Sequence, residues 1–208
     1  MKAFTIMGRA IKAVYEELFL CVWLSILWWV GTVLIVTAAP VTVGLHRVAN
    51  RMANYQRVES SFFFEGAKSH FGSGWLLYLL RVGVPVLIGV NIWFYFKMEG
   101  WIWIVGVLFL WLFVVSVMVG LFVFPLFWQQ DEPDLKLVLR NAAILTLQHP
   151  LYTFLLLLFI AVLMGLSIIP IVALFLTPAA IAVTANFGLA GILQDMGLSP
   201  QPPVVSRR

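Results

Sequence analysis

Long apolar runs separated by short polar segments dominate the chain. The first three runs are Leu18–Ala39, Trp75–Phe96 and Trp101–Trp128, and Arg81 is the only charged residue inside them. An α-helix rises 1.5 Å per residue, so about 20 apolar residues cross the roughly 30 Å hydrocarbon core of a bilayer. Each of these three runs therefore predicts one transmembrane helix, at about 18–39, 75–96 and 101–128.

The fourth run, Leu151–Leu193, is uncharged over 43 residues. As one straight helix it would span about twice the bilayer thickness, so it is expected to fold back on itself. Gly165, Ser167 and Pro170 are the helix breakers near its middle. This predicts spans at about 151–168 and 171–193, which makes five in total. A four-span arrangement, with this last run partly re-entrant, is the alternative.

The polar segments between the runs predict shorter amphipathic helices. In residues 1–17, apolar side chains recur at helical spacing opposite charged ones, which is typical of a helix lying in the headgroup region. The predicted apolar face consists of Phe4, Met7, Ile11 and Val14. The segment 40–74 predicts two cytoplasmic loop helices, one along 41–55 and one from Phe62 to His70. In 129–150, Asp134 is placed to cap a helix whose apolar stripe contains Leu135, Val138, Leu139 and Ala142.

Composition agrees with this pattern. Of the 208 residues, 62% are hydrophobic and only 11% are charged. A soluble domain carries about 25% charged residues, so a soluble enzyme, a disordered chain and a disulfide-rich domain are all excluded. The single cysteine, Cys21, permits no intramolecular disulfide. The predicted fold class is all-α: a polytopic membrane helical bundle with one transmembrane domain over 18–193 and a flexible, proline-rich tail over 194–208.

Lysine and arginine positions predict the orientation. With five spans, the side holding segments 40–74 and 129–150 and the tail carries eight of them, whereas the side holding the N-terminus and Lys97 carries four. The positive-inside rule then places the C-terminus in the cytoplasm and the N-terminus outside. A cleaved signal peptide is the alternative interpretation of the first run, but the run is too long and Pro40 follows its only small-residue site.

Arg81 is the most unusual residue because it lies inside a predicted span. A charge at membrane depth is energetically unfavourable and marks a candidate functional site, although Arg81 is shallow enough to extend to the interface or meet a lipid phosphate. Pro85, four residues later, removes the backbone hydrogen bond to the Arg81 carbonyl and predicts a kink.

Asn91 and Asn186 are the other candidate functional polar positions within the spans. Hydrogen bonds between helices would explain both without a substrate. No Asp or Glu lies in a predicted span, which argues against an ion-coupled transporter. His46, His70 and His149 fall in loops or at span ends, where interfacial histidines are expected, and their spacing is not that of metal ligands. No cofactor or metal site is predicted.

Six basic residues in the cytoplasmic segments are the candidate contacts for anionic lipid headgroups or a protein partner: Arg47, Arg51, Arg57, Lys68, Lys136 and Arg140. The expected partners are the lipid bilayer and another membrane protein or a second copy of this chain. Nucleic acid is not expected, because no basic run with interleaved aromatic residues occurs away from the membrane-adjacent segments. The chain lacks the phosphate-binding loop, metalloprotease and serine-hydrolase motifs, so an enzyme with catalytic residues is not predicted.

Two stretches carry a family resemblance. The first contains Pro40-Val41-Thr42 with Arg47 and Arg51, followed by the segment 61–68, Ser-Phe-Phe-Phe-Glu-Gly-Ala-Lys. The second contains Phe124-Pro125-Leu126, then Asp134-Leu135-Lys136 and Leu139-Arg140-Asn141-Ala142. With the span pattern, these resemble the YesL family of small bacterial membrane proteins of unknown function. The resemblance implies a bacterial inner-membrane location and an accessory role around carbohydrate ABC transporters, and it carries over no catalytic residues.

Three functions remain open from the sequence. The first is a non-catalytic accessory or scaffold protein of the membrane, indicated by the absence of catalytic motifs beside two amphipathic segments. The second is a transport component that uses Arg81, Asn91 and Asn186 and works as an oligomer. The third is a structural subunit of a respiratory or photosynthetic complex.

Overall fold

The computed structural model describes residues 2–130 and 133–198, and these form helices joined by short turns, with no β-strand. The order is α1 (Lys2–Glu16), α2 (Leu18–Val33), α3 (Ala38–Ala53), α4 (Ser60–Ser69), α5 (Phe71–Tyr78), a π-helical turn (Leu79–Gly83), α6 (Val84–Phe96), a 3₁₀ turn (Gly100–Ile102), α7 (Trp103–Phe127), α8 (Leu135–Gln148), α9 (Pro150–Leu166), α10 (Pro170–Phe175) and α11 (Thr177–Asp195). The predicted all-α bundle is confirmed.

Within the described residues, three helical stretches are long and apolar enough to cross a membrane: Phe71–Phe96, Gly100–Phe127 and Thr177–Asp195. Helices α8 and α9 together form a fourth candidate, bent by 100°. Apolar helices of this length identify an integral membrane protein. The count of five spans is not confirmed, because α2 has only 16 residues and α9 only 17.

The predicted first span, 18–39, is wrong in its extent. Helix α2 ends at Val33, and α3 begins at Ala38 after a tight turn. In that turn Ile35 has a φ of 52°, the left-handed conformation that β-branched residues rarely adopt. The chain therefore breaks where the apolar run continues.

The last apolar run folds back where its breakers predict. The predicted span 171–193 is wrong as a single helix, because α10 ends at Phe175 and α11 begins at Thr177. At the turn, the Ser167 and Thr177 hydroxyls lie 2.8 Å apart, and farther along the Tyr152 hydroxyl donates to the Gly188 carbonyl at 2.9 Å. Gly188 allows the close approach, because a Cβ there would lie 2.5 Å from Leu156. Helix α11 continues to Asp195, so the tail begins later than predicted. Residues 199–208 of the predicted tail lie outside the described residues.

The prediction that residues 41–55 form a cytoplasmic loop helix is half wrong. The helix exists as α3, but 14 of its 16 residues are buried and it lies at the centre of the bundle. Helices α4, α5, α2, α7 and α11 all pack against it. Small residues make this possible: a Cβ on Gly44 would lie 2.3 Å from the Phe63 carbonyl oxygen of α4. Residues of low hydropathy thus occupy the centre, and apolar helices surround them.

Helix α1 also differs from the expectation of a purely interfacial helix. Its buried face is Ala3, Ile6, Met7, Ala10 and Val14, and it packs mainly against α11. Ile6 lies beside Gly191, and the Arg9 guanidinium donates to Gln194 at 3.2 Å. The predicted apolar face was wrong at Phe4 and Ile11, which are exposed. The basic residue Arg9 therefore lies at the C-terminal end of α11.

The cap of α8 is confirmed. The Asp134 carboxylate accepts a hydrogen bond from the Lys136 backbone N–H at 2.9 Å, as expected of an Asp before the first turn. Val138 and Ala142 of the predicted stripe are fully buried.

Helices α6 and α7 form an antiparallel hairpin whose outer half, the hairpin arm (residues 84–115), projects beyond the bundle. The two helices pack against each other, with Tyr95 stacked on Phe109 at a ring separation of 5.4 Å. Many of their apolar side chains are exposed, among them Leu87, Trp93, Leu108 and Trp111. In a membrane protein such a surface faces lipid.

Candidate functional site

Arg81 lies in the π-helical turn between α5 and α6. There the Val84 N–H bonds to the Leu79 carbonyl, five residues earlier. Pro85 has no N–H to offer the Arg81 carbonyl, so the helix widens by one residue at this point. Gly120 of α7 packs beside Arg81, where a Cβ would lie at an ordinary contact distance of 3.5 Å from the Arg81 Cγ. The kink predicted at Pro85 thus takes the form of a π-helical turn that presents Arg81.

The Arg81 side chain points into the bundle and meets His46 of α3. The distance from Arg81 Nη1 to His46 Nε2 is 2.7 Å. The guanidinium also lies over the Phe124 ring of α7, 5.4 Å from its centroid. Arg81 therefore turns toward the centre of the protein instead of extending to the interface.

His46 joins four helices at one point. Its ring stacks on Phe124 with centroids 5.0 Å apart and an interplanar angle of 12°. Its Nδ1 lies 3.0 Å from Asn186 Nδ2 of α11, and that amide also donates to the Ala182 carbonyl at 2.8 Å. His46 and Asn186 are only 2% and 1% exposed. The Asn186 Oδ1 is buried and has no hydrogen-bond partner among the described residues.

A cavity of about 640 Å³ adjoins this cluster and is lined by α2, α3, the Arg81 turn, α9 and α11. This size falls within the range of about 300–1,000 Å³ found for small-molecule sites. Trp28, Trp29 and Leu45 contribute apolar wall, and His46 and Arg81 contribute polar edge. The cavity is partly open, since Trp29 and Val82 at its rim are well exposed.

The charge of the cavity is not balanced by the lining residues. Among the described residues that line it, none is an Asp or Glu. Three of the four lining hydroxyl groups have protein partners: Thr42 accepts from Trp28 at 2.9 Å, and Ser167 pairs with Thr177. The fourth belongs to Tyr78. Within the described part of the chain, His46 is the only residue with a side-chain atom recorded within hydrogen-bond distance of the Arg81 guanidinium. Most of the guanidinium N–H groups are thus left available to a ligand.

The structure brings together two of the three candidate polar positions. Arg81 and Asn186 both contact His46. Asn91 does not join them, because its Nδ2 donates to the Leu87 carbonyl of its own helix at 2.8 Å. The expected hydrogen bond from Asn91 to another helix is therefore wrong, and its side chain is partly exposed on the hairpin arm.

The six basic candidates separate into two groups. Three interact around the end of α3: Arg47 pairs with Glu65 at 2.8 Å, Arg51 lies 3.8 Å from the Phe62 ring centroid, and Arg57 pairs with Glu59 at 2.6 Å. The other three, Lys68, Lys136 and Arg140, are exposed on α4 and α8. Their contact with lipid or with a partner stays a prediction.

The interpretation of His46 as an interfacial residue is wrong, and the sequence held a signal against it. Thr42, His46 and Asn50 follow at intervals of four, which places uncharged polar side chains on one face of a helix. All three are buried in the structure.

His70, in contrast, lies at the end of α4 with its ring edge-on to Phe127 and Trp128. Desolvation, and then the nearby charge of Arg47, lower the pKa of His70 from its usual 6.5.

Comparison with known proteins finds no matching family model, no similar curated protein and no similar solved structure. The YesL resemblance therefore stays a prediction.

Proposed function

We propose that this protein is a non-catalytic membrane accessory protein that binds an oxyanion attached to an apolar body, such as a long-chain carboxylate or an alkyl phosphate, in the Arg81 cavity. The observation that carries the proposal is a guanidinium at the edge of a largely apolar cavity with no carboxylate among the described residues that line it. A permanent cation in such surroundings is unfavourable unless it is paired. A bound anion supplies the missing charge.

The geometry supports an amphiphilic ligand in particular. The guanidinium matches carboxylate and phosphate groups because its N–H groups donate in one plane. The walls formed by Trp28, Trp29 and Ile181 would hold an apolar chain. A lipid headgroup and a free amphiphile share this chemistry. The proposal includes an accessory role beside a transport system of the bacterial inner membrane, and this part rests on the YesL resemblance alone.

Binding of radiolabelled dodecanoate and dodecyl phosphate to the protein in phosphatidylcholine nanodiscs tests the proposal. We expect saturable binding above that of empty discs, and no saturable binding of the uncharged dodecanol. Hydrogen bonds to charged groups contribute about 1.5–3 kcal/mol, so Arg81→Gln should weaken binding about ten- to a hundredfold. Added phosphatidylglycerol will compete if the headgroup of a lipid is the occupant, whereas no competition indicates a free amphiphile.

The matched control is Lys97→Gln, which removes the same charge from the far end of the hairpin arm, where the ammonium lies 4.0 Å from the Trp93 ring centroid. It should bind as the wild type does. Arg81→Lys keeps the charge and should retain part of the affinity if the cavity is intact. Equal binding by wild type and Arg81→Gln, or no saturable binding by the wild type, would contradict the proposal.

A further inference from the structure

More N–H donors converge on the His46 ring than it can accept. Arg81 Nη1 lies 2.7 Å from Nε2, and Asn186 Nδ2 lies 3.0 Å from Nδ1. A guanidinium and an amide nitrogen can only donate, whereas a neutral imidazole has one accepting nitrogen and one N–H. One of the two contacts therefore brings two donors face to face. Protonating the ring makes this worse, because it removes the last acceptor and puts a second positive charge beside Arg81.

Turning the Asn186 amide over relieves the contact with His46 Nδ1 only by creating another conflict. Its Nδ2 also donates to the Ala182 carbonyl at 2.8 Å. In the reversed orientation Oδ1 would face that carbonyl oxygen, and the amide nitrogen would move to the buried position where the structure offers Oδ1 no partner. The donor contact to the Ala182 carbonyl thus holds Asn186 in the observed orientation. In that orientation His46 Nδ1 accepts, and the proton of the neutral ring lies on Nε2.

The consequence is a pair of donors at the cavity edge that lack a shared acceptor. Both His46 and Arg81 line the cavity. Stacking on Phe124, with the ring planes within 12°, fixes the plane of the imidazole. His46 Nε2 and Arg81 Nη1 lie 2.7 Å apart at the cavity edge, and an anionic oxygen that displaces this contact would accept from both.

We propose that His46 Nε2–H is the second ligand-binding donor of this site, and that Asn186 is a positioning residue that selects the tautomer carrying the proton on Nε2. The inference rests on the proposed function and specifies its ligand as a carboxylate or phosphate whose oxygens are shared by Arg81 and His46. Binding shifts Arg81 from His46 onto the anion. No proton is gained or lost in this step, because the ring is neutral before and after it.

Nitrogen NMR tests the inference directly, because imidazole nitrogen shifts distinguish the two neutral tautomers and the protonated ring. The sample is histidine-labelled protein in phosphatidylcholine nanodiscs, saturated with dodecyl phosphate. His70→Gln and His149→Gln leave His46 as the only labelled ring. We expect the His46 ring of the bound state to carry its proton on Nε2, with Nδ1 unprotonated. In Asn186→Leu the donor to Nδ1 is gone, and a substantial population of the other tautomer is expected.

The second experiment measures affinity. It adds His46→Phe to the His70→Gln, His149→Gln protein and compares the result with that protein alone. Phenylalanine keeps a ring on Phe124 but has no hydrogen-bond donor. We expect about a tenfold or greater loss of dodecyl phosphate affinity. A bound state with the proton on Nδ1, a protonated ring, or unchanged affinity in His46→Phe would overturn the inference. In each of those cases Arg81-dependent binding would persist and the proposed function would stand, whereas absence of saturable binding would overturn both.

Discussion

The hairpin arm and helix α3 differ in how hydropathy relates to burial: the apolar arm is exposed, and the less apolar helix is buried. Only Pro85 and Gly106 of the 32 residues of the hairpin arm are buried, whereas 14 of the 16 residues of the less apolar α3 are buried. In a bilayer, apolar surface needs no protein cover, and polar groups must find partners inside the bundle. A binding site should therefore be sought at the interior helix of low hydropathy, and not along the apolar hairpin arm.

The largest expected effect separates the two ends of α7. Leu121 is 4% exposed in the bundle and Leu108 is 61% exposed in the hairpin arm. Leu121→Ala leaves a cavity and should lower the free energy of unfolding by about 2–5 kcal/mol. Leu108→Ala should change it by no more than about 0.5 kcal/mol, because no packed neighbour is lost. Unfolding titrations in mixed micelles measure both.

Equal losses of unfolding free energy for the two leucine variants would contradict this difference in burial. They would show that the hairpin arm is covered by protein, in a second copy or a partner, and not by lipid.

A smaller effect is expected from glycine substitutions that sharpen the same contrast. A methyl group on Gly44 would lie 2.3 Å from a backbone oxygen of α4, while Gly89 in the arm has open space around it. Gly44→Ala should destabilise the protein by about 1–3 kcal/mol through overpacking. Gly89→Ala should stabilise it by about 0.5–1 kcal/mol, because alanine favours the helix. Unchanged stability in Gly44→Ala would mean that α3 and α4 are not packed as described.

The smallest effect concerns the rim of the bundle. The pKa of His70 is lowered from its usual 6.5 in the folded state. The unfolded chain therefore binds more protons near this pH, and the contribution of His70 to stability is complete above about 6.5 and is lost as the pH falls through the lowered pKa. Acidification from pH 7 should lower the unfolding midpoint, and His70→Gln should remove that part of the decrease. The same pH profile in wild type and variant would contradict this assignment.

The sequence predicts most of the fold because each correct element has a local cause. Length and hydropathy predict α7, the breakers Gly165 and Pro170 predict the fold-back, and Asp134 predicts the start of α8. The break after α2 could not be predicted, because it depends on Ile35 in a conformation that its side chain disfavours.

The site was only partly predictable for a different reason. Arg81 and Asn186 stand out as polar residues in apolar runs, and Pro85 explains the turn that presents Arg81. His46 stands out only through the polar face that it shares with Thr42 and Asn50, and local patterns cannot show that α3 lies at the centre of the bundle. Along the chain, His46 is 35 residues from Arg81 and 140 residues from Asn186, the two residues that it contacts. Packing of distant helices, not local spacing, creates this cluster.

The most direct test of the binding site is an experimental structure of the protein with bromine-tagged dodecanoate. We predict the carboxylate within hydrogen-bond distance of both Arg81 and His46 Nε2, with the bromine between the tryptophan walls of the cavity. A carboxylate bound elsewhere, with Arg81 Nη1 still on His46 Nε2, would contradict the account.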